Sequence, residues 1–314
     1  MDISIIISTR NRAESLVKTL DSFQAVKVPE GATAEILVVD NASNDNTREV
    51  AQRRKVGNFS LRYLSEPHPG KMWAQNLGLA EAHGTVLLTT DDDVRPCPHW
   101  LEHMVRPIFK GQWDAVAGRI ELAPDLVRPW MTGMHKHWLA SSEDKDGWPV
   151  VLVGASMGFH REVLKRVPAF DVELGPGALG LADDTLFSWQ LEEAGYRIGQ
   201  AEEATVRHHF DANRLSNVSW MKAARDLGRS EAYLLHHWFH RQLKWPWLQG
   251  LMLTAKLRAR RRLQRPLPDG EGAPRWEMSY VFHIEKCRQY DVERKRVRNY
   301  VKRGLVKRQN GVVP

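Results

Sequence analysis

Apolar runs of strand length alternate with helical patterns through the first ninety residues. Candidate strands lie at residues 3–8, 34–40, 60–64 and 85–90. The first is apolar at successive positions, which is typical of a strand buried on both faces of a parallel sheet. Helical patterns begin after Asn11, at Thr47 and at Met72, and Asn11 with Glu14 predicts a capping pair at the first of them. This alternation predicts an open, wound α/β sheet built from βαβ units.

The pattern is less regular between residues 100 and 210. Residues 114–122 and part of 150–159 predict two further strands. Residues 183–194 predict a helix, because Phe187, Leu191 and Ala194 share one face and Gly195 provides a C-terminal stop. Residues 265–270, rich in proline and ending in Asp-Gly, predict a turn or linker.

The charge is distributed unevenly along the chain. The 314 residues include 45 Lys and Arg against 38 Asp and Glu, a net charge of +7. Residues 211–314 hold 23 of the basic and 9 of the acidic side chains, a net of +14, so residues 1–210 carry −7. We therefore predict two domains, 1–210 and 211–314. The first is expected to carry the chemistry and the second to attach to something anionic.

The composition excludes several classes of protein. Two cysteines, Cys97 and Cys287, cannot form a disulfide framework, which favours a reducing compartment. Residues 1–9 lack the basic start of a signal peptide, and no apolar stretch is long enough to span a bilayer. We expect a cytoplasmic protein. A further expectation is that it attaches peripherally to the inner face of the cell membrane.

Polar clusters follow three of the candidate strands, at residues 8–12, 40–43 and 91–93. Ligands in open α/β sheets bind outside the carboxyl ends of the strands, so the three clusters predict one shared site. In an extended backbone Asp91 and Asp93 point to the same side, and two such carboxylates suit a hard divalent cation that also binds phosphate. Asp183 and Asp184 begin a predicted helix, where acidic residues also serve as caps.

These segments, taken in order, resemble the family 2 glycosyltransferases. The matching residues are 5–12 and 38–43, Gly70, Lys71, Ala74, Asn76 and Gly78, the triplet 91–93 as the D-x-D motif, then 154–159, 170–171, 183–186 and 204–208. The resemblance spans residues 3–209. It implies a GT-A fold, in which a wound, mostly parallel central sheet is flanked by helices. The nucleotide-binding half would occupy about 1–105 and the acceptor half about 106–210. A basic, mainly helical extension would follow at 211–314.

The resemblance also implies the reaction and its residues. A sugar would move from a nucleotide-diphosphate sugar, a UDP-sugar first among them, to an acceptor hydroxyl with inversion, assisted by Mg²⁺ or Mn²⁺. The acceptor would be a sugar, a lipid-linked molecule or another hydroxyl compound, in bacterial polysaccharide, glycolipid or glycoconjugate synthesis. The resemblance assigns nucleotide-sugar contacts to Thr9, Arg10, Arg12, Asp40, Lys71, Asn76, Asp91 and Asp92, metal contacts to Asp93 and His208, the acceptor side to Ser156 and Asp183, and the catalytic base to Asp184.

Four points stay open at the level of sequence. The triplet also permits Asp92 as a ligand, and His209 competes with His208 for the imidazole position. Gln75 stands where many members have Arg, and Ser156 where many have Asn.

The basic tail allows two interpretations. Tryptophans at 245 and 247 precede the cationic run 256–262, a combination typical of helices that lie on anionic membranes. The alternative is a solvated helix packed on its own protein.

Two other functions compete with sugar transfer. A sugar nucleotidyltransferase also uses a wound sheet and a divalent ion, but residues 8–12 contain none of the glycines expected in its phosphate loop. A nucleic-acid-binding protein would use the basic tail. No nucleic-acid motif occurs, and we expect no nucleic-acid partner.

Overall fold

The computed structural model describes residues 1–143, 149–263 and 270–308. The chain forms two compact units. The first comprises Met1–Val172 and Asp183–Phe210, and the second comprises Glu173–Ala182 with the described residues from Asp211 onward. Of the linker predicted at residues 265–270, residues 265–269 lie outside the described residues.

One eight-stranded sheet forms the centre of the first unit. Its strands are β1 (Ile3–Thr9), β2 (Ala34–Asp40), β3 (Ser60–Ser65), β4 (Val86–Asp91), β5 (Val94–Pro96), β6 (Ala115–Leu122), β7 (Ser156–His160) and β8 (Ile198–His208). Their order is β3-β2-β1-β4-β7-β6-β8-β5. The pairs β3–β2, β2–β1, β1–β4 and β6–β8 are parallel, and the other three pairs are antiparallel. The predicted wound parallel sheet thus occupies the first half of the fold, and the second half is mixed.

Six α-helices accompany this sheet in the described part of the first unit. They are α1 (Ala13–Ser22), α2 (Thr47–Arg53), α3 (Lys71–Glu81), α4 (Trp100–Phe109), α5 (Gly133–Trp138) and α6 (Asp183–Glu193). Leu16 and Leu20 share one face of α1 and are fully buried, as is Phe23 just after the helix. Gly78 of α3 lies so close to the sheet that an added Cβ would stand 2.5 Å from Cγ2 of Ile6. This close contact positions the start of α3 beside the carboxyl end of β1.

The capping pair predicted at α1 is wrong. Asn11 has φ 52°, and its side-chain oxygen accepts a hydrogen bond from the backbone N–H of Asn44 at 2.7 Å. The N–H of Ala13 instead donates to the Asp45 carboxylate at 3.0 Å. The reason is that the loop after β2 returns to the start of α1 and supplies the cap from a distant part of the chain.

Helices make up most of the second unit. Its α-helices are α7 (Asn217–Tyr233), α8 (Pro246–Leu263) and α9 (Arg275–Glu293), with a π-helical turn at Leu234–Trp238. A Cβ on Gly228 of α7 would lie 2.4 Å from the carbonyl oxygen of Phe282 in α9, so only glycine permits their close packing. Inside this unit the fully buried His237 contacts Glu293 at 2.9 Å. None of the helices in the described ranges is long and apolar enough to cross a membrane.

Candidate active site

The three polar clusters meet at one edge of the sheet. Thr9 at the end of β1 lies opposite Asp40 of β2, and Ser8 lies opposite Asp91 of β4. Because these strands are parallel neighbours, their carboxyl ends bring together residues that are 31 and 83 positions apart in the chain. The sequence prediction of a shared site at this edge therefore matches the strand arrangement.

Asp92 is the buried member of the aspartate triplet. One carboxylate oxygen accepts from the Thr9 hydroxyl at 2.7 Å, and the other pairs with Arg12 at 2.9 Å. Its backbone carbonyl accepts from the hydroxyls of Ser15 and Thr19 in α1. Burial, reinforced by the charge of Asp93 and opposed by Arg12 and Thr9, raises the pKa of Asp92 to about 7. Both carboxylate oxygens thus contact the protein itself.

Asp93 lies between two basic side chains. One oxygen is 2.9 Å from the Arg12 guanidinium, and the other is 3.3 Å from Nε2 of His208. The other ring nitrogen of His208, Nδ1, donates to the carbonyl of Leu139 at 2.8 Å, which orients the ring. His209 reaches Asp93 only through the backbone, where its N–H donates to the Asp93 carbonyl at 2.8 Å. Of the two histidines, His208 is the one whose imidazole faces the triplet.

Asp93 and His208 form a donor set that fits a divalent cation. Nδ1 of His208 is used on a carbonyl, so Nε2 is the ring nitrogen that faces Asp93, and a cation between them would be bound by both groups. Mg²⁺ is commonly held by one or two protein ligands together with water and substrate phosphates. Within the described residues, no group of three or more His, Cys, Asp or Glu side chains forms a cage. A cation held by these two side chains would therefore need water or substrate phosphates to complete its coordination.

Asp91 forms an ion pair with Lys71 at the start of α3. Burial lowers the pKa of the Lys71 ammonium, but the charges of Asp91 and Asp183 outweigh it and raise that pKa above its ordinary value. A Cβ on Gly154 would lie 3.8 Å from Nζ of Lys71, so this ammonium also lies beside the segment that precedes β7. Lys71 therefore stays charged among the acidic side chains.

Asp183 and Asp184 stand at the first turn of α6. The Asp184 carboxylate accepts the backbone N–H of Thr185 at 2.7 Å and that of Gly154 at 3.3 Å. Burial raises the pKa of Asp184, although these two N–H donors oppose the shift. Burial and the neighbouring charge of Asp184 also raise the pKa of Asp183. The pair is thus poised to bind a proton more readily than ordinary carboxyl groups.

Asp40 and Tyr63 define the other end of the site. Asp40 is buried at the end of β2, where it accepts the Ser43 backbone N–H at 2.9 Å and the Tyr63 hydroxyl at 2.8 Å. Tyr63 is absent from the sequence prediction, although its position near the carboxyl end of β3 is a signal that could have found it. Arg10 is exposed on the adjoining turn.

Two predicted site residues have other partners. Asn76 uses both ends of its amide on the backbone of Phe170, at 2.8 and 2.9 Å. Ser156 is fully buried, and its hydroxyl accepts the indole N–H of Trp100 at 3.0 Å. Among the described residues neither side chain is hydrogen-bonded to these carboxylates; Asn76 anchors a loop and Ser156 packs beneath α4, and their roles in the site stay predictions.

The family model described as "Glycosyl transferase family 2" matches residues 4–167. "Glycosyltransferase AglE" of Haloferax volcanii is 34% identical over 214 residues, which cover 66% of each chain. "Succinoglycan biosynthesis protein ExoM" of Rhizobium meliloti is 27% identical over 72% of each chain. Among solved structures, a mannosyltransferase from Pyrobaculum calidifontis in complex with GDP-Man and Mn²⁺ has a TM-score of 0.62 at 20% identity. That likeness covers 92% of this chain and 86% of the other, and it confirms the predicted fold class.

Proposed function

The chain belongs to glycosyl transferase family 2, and on that basis we propose that Asp184 is the base of an inverting, metal-assisted sugar transfer. The donor is a nucleotide-diphosphate sugar and the acceptor carries a hydroxyl group. The place in metabolism we propose is the synthesis of a bacterial polysaccharide, glycolipid or glycoconjugate. The family assignment replaces the nucleotidyltransferase alternative.

One observation carries this proposal. Two adjacent carboxyl groups with raised pKa lie at the start of α6, and their electrostatic neighbours are Lys71 and Asp91. A base works best when its pKa approaches the working pH, because it can then accept a proton and still be ionised at the start. Asp184 is held by two backbone N–H groups, which fix its position without supplying a competing charge.

The reaction that this arrangement supports has one chemical step. The acceptor oxygen attacks the anomeric carbon while Asp184 takes its proton, and the bond from that carbon to the diphosphate oxygen breaks. The sugar passes through an oxocarbenium-like state and inverts, so no covalent enzyme intermediate is needed. Asp183 lies on the acceptor side, next to the base.

The donor occupies the carboxyl ends of β1, β2 and β4 in this proposal. Asp40 contacts the nucleobase or the ribose of the donor, while Thr9 acts by orienting Asp92. Asp93 and His208 would hold the cation, and a bound Mg²⁺ or Mn²⁺ supplies positive charge for the departing diphosphate. Lys71 adds a fixed positive charge beside Asp91.

The test combines a donor screen with two matched variants. UDP- and GDP-sugars are incubated with the full chain and Mn²⁺ or Mg²⁺, and nucleoside diphosphate release is measured. We expect Asp184→Asn to lower the rate by about 10²- to 10⁴-fold, as loss of a general base does. Asp183→Asn serves as the control for the neighbouring charge, and nucleotide binding should persist in both. An Asp184→Asn enzyme with near wild-type rate would refute the base; absence of stabilisation by any nucleotide with metal would refute the donor.

We further propose that the enzyme is cytoplasmic and works peripherally on the inner face of the cell membrane. The support is the net charge of +14 in residues 211–314, since cytoplasmic leaflets are anionic.

A further inference from the structure

Helix α8 exposes large apolar side chains to solvent. Trp247, Leu251 and Met252 are 61%, 63% and 50% exposed, and Trp245, just before the helix, is 71% exposed. Exposed tryptophans are costly in a soluble helix, and clustered apolar exposure marks an interaction surface. The neighbouring Trp238 is by contrast fully buried, so tryptophan in this unit is not exposed as a rule.

The exposed face is not the result of a detached helix. Gly250 lies against α9, where an added Cβ would be 3.4 Å from Cβ of Cys287, and Leu257 is buried. Arg261 forms an ion pair with Glu277 of α9, and Arg260 lies over the ring of Trp276 at 4.6 Å. Helix α8 is therefore packed along one side and leaves a defined second side uncovered.

The same uncovered side is basic towards its C-terminal end. The spacing of Trp247, Leu251, Ala255, Arg258 and Arg262 places them on one helical face, and all five are exposed. In the described ranges no carboxylate pairs with Arg258 or Arg262. The face thus runs from tryptophan and leucine at one end to unpaired arginine at the other. We name these five residues, with Trp245 and Met252, the α8 face.

We propose that the α8 face docks on an anionic lipid surface. Tryptophan is suited to the headgroup level of a bilayer, leucine and methionine to the acyl boundary, and arginine to lipid phosphates. The side chains of Leu251 and Met252 have no partner on a nucleic-acid backbone. A second copy of the same face would offer these arginines no carboxylate, since none of its seven residues is acidic. This inference rests on the peripheral location proposed above and is independent of the sugar-transfer chemistry.

Vesicle sedimentation of the full chain tests the α8 face. The probes are vesicles of phosphatidylcholine alone and of phosphatidylcholine with phosphatidylglycerol in a two-to-one ratio. We expect binding to the mixed vesicles that weakens with salt. The pair Arg258→Gln and Arg262→Gln should weaken it roughly 30-fold, at the strength typical of a basic residue near an anionic surface. The pair Trp245→Ser and Trp247→Ser should weaken it roughly tenfold or more.

Matched controls remove the same chemistry elsewhere in the second unit. Lys295→Gln with Lys302→Gln removes two exposed charges, and Val218→Ser with Val297→Ser removes two exposed apolar side chains. Both controls should bind vesicles within about threefold of wild type, since they lie off the α8 face. An equal loss of vesicle binding in the control and α8 variants would overturn the proposal. Equal binding of the wild type to both kinds of vesicle would overturn it too. Salt-sensitive binding to DNA without binding to vesicles would also overturn it.

A second measurement separates this proposal from the enzymatic one. Nucleotide binding in solution should be unchanged in the α8 variants. If wild type binds no nucleotide but the vesicle results hold, the proposed function fails and the docking surface stands. If nucleotide binds but no vesicle does, the reverse conclusion follows.

Discussion

The substitution Asp92→Asn should change how stability depends on pH. Asp92 is buried and its pKa is raised to about 7 from the ordinary 3.8. Because the folded value lies above the unfolded one, folding favours the protonated carboxyl, and ionisation costs stability as pH rises. A shift of this size lowers the free energy of unfolding by about 4 kcal/mol. The full loss is reached only above pH 7, and there is no loss below pH 3.8. Asparagine does not ionise, so the variant escapes this cost.

The variant also loses contacts. Its single amide oxygen can accept from the Thr9 hydroxyl or from Arg12 but not from both in the present geometry. A lost hydrogen bond to a charged group costs about 1.5–3 kcal/mol. We therefore expect the stability of Asp92→Asn relative to wild type to increase from pH 5 to pH 8, because only the wild-type side chain ionises over that range.

Urea unfolding with EDTA present, repeated from pH 5 to pH 8, measures this difference. Asp45→Asn is the control, and its stability difference from wild type should stay constant from pH 5 to pH 8, because Asp45 is ionised in both the folded and the unfolded chain over that range. Hydrogen bonds from Thr47 and Ala13 outweigh the effect of burial and lower the pKa of Asp45, so its ionised form stabilises the fold. A stability difference for Asp92→Asn that stays constant with pH would refute the reasoning.

Two further substitutions test hydrogen bonds that lie within one unit each. Asn76→Ala removes both hydrogen bonds to the Phe170 backbone and should cost about 2 kcal/mol in urea unfolding, with faster amide exchange at Phe170; unchanged exchange would contradict the anchoring role. Glu293→Ala leaves His237 and Arg296 without their buried carboxylate and should cost about 3–5 kcal/mol at pH 7. Burial raises the pKa of Glu293, but hydrogen bonds and Arg296 outweigh it and lower that pKa, so the cost should fall upon acidification below pH 4.5; a cost independent of pH would count against the pair.

Local pattern predicted the elements that lie deepest in the sheet. The strand predicted at 34–40 has those bounds in the structure, because seven successive residues are buried there. The predicted helix at 183–194 differs from α6 by one residue, and Gly195 follows it with φ 83°. Strand β5 has three residues, too few for a pattern to form. Strand β8 carries the exposed Glu202 and Glu203 in its middle, which interrupt its apolar alternation.

The sequence pattern did not predict which side chains are hydrogen-bond partners. Ser156 meets Trp100, 56 residues earlier, and Asn76 meets Phe170, 94 residues later. A motif indicates that a residue type recurs at a position, but the partner depends on how distant elements pack. The strand pairing of β5 with β8 brings Asp93 and His208 within 3.3 Å of each other, while their role as metal ligands stays a prediction. The division of labour between residues 1–210 and 211–314 likewise stays a prediction.

The ten residues Glu173–Ala182 have a consequence for how the chain can be made or shortened. Their partners come from much later in synthesis, since Glu173 binds Asn299 and Arg296, and Leu181 donates to Ser230. Gly180, at φ 136°, fits so closely against Asp226 that a Cβ would stand 2.3 Å from its Cβ. During translation this segment emerges long before its partners do. A chain cut after residue 210 would lack these later partners of a segment that immediately precedes Asp183 and Asp184. Expression of the first unit alone is therefore expected to require either deletion of this segment or residues 211–314 supplied as a separate chain.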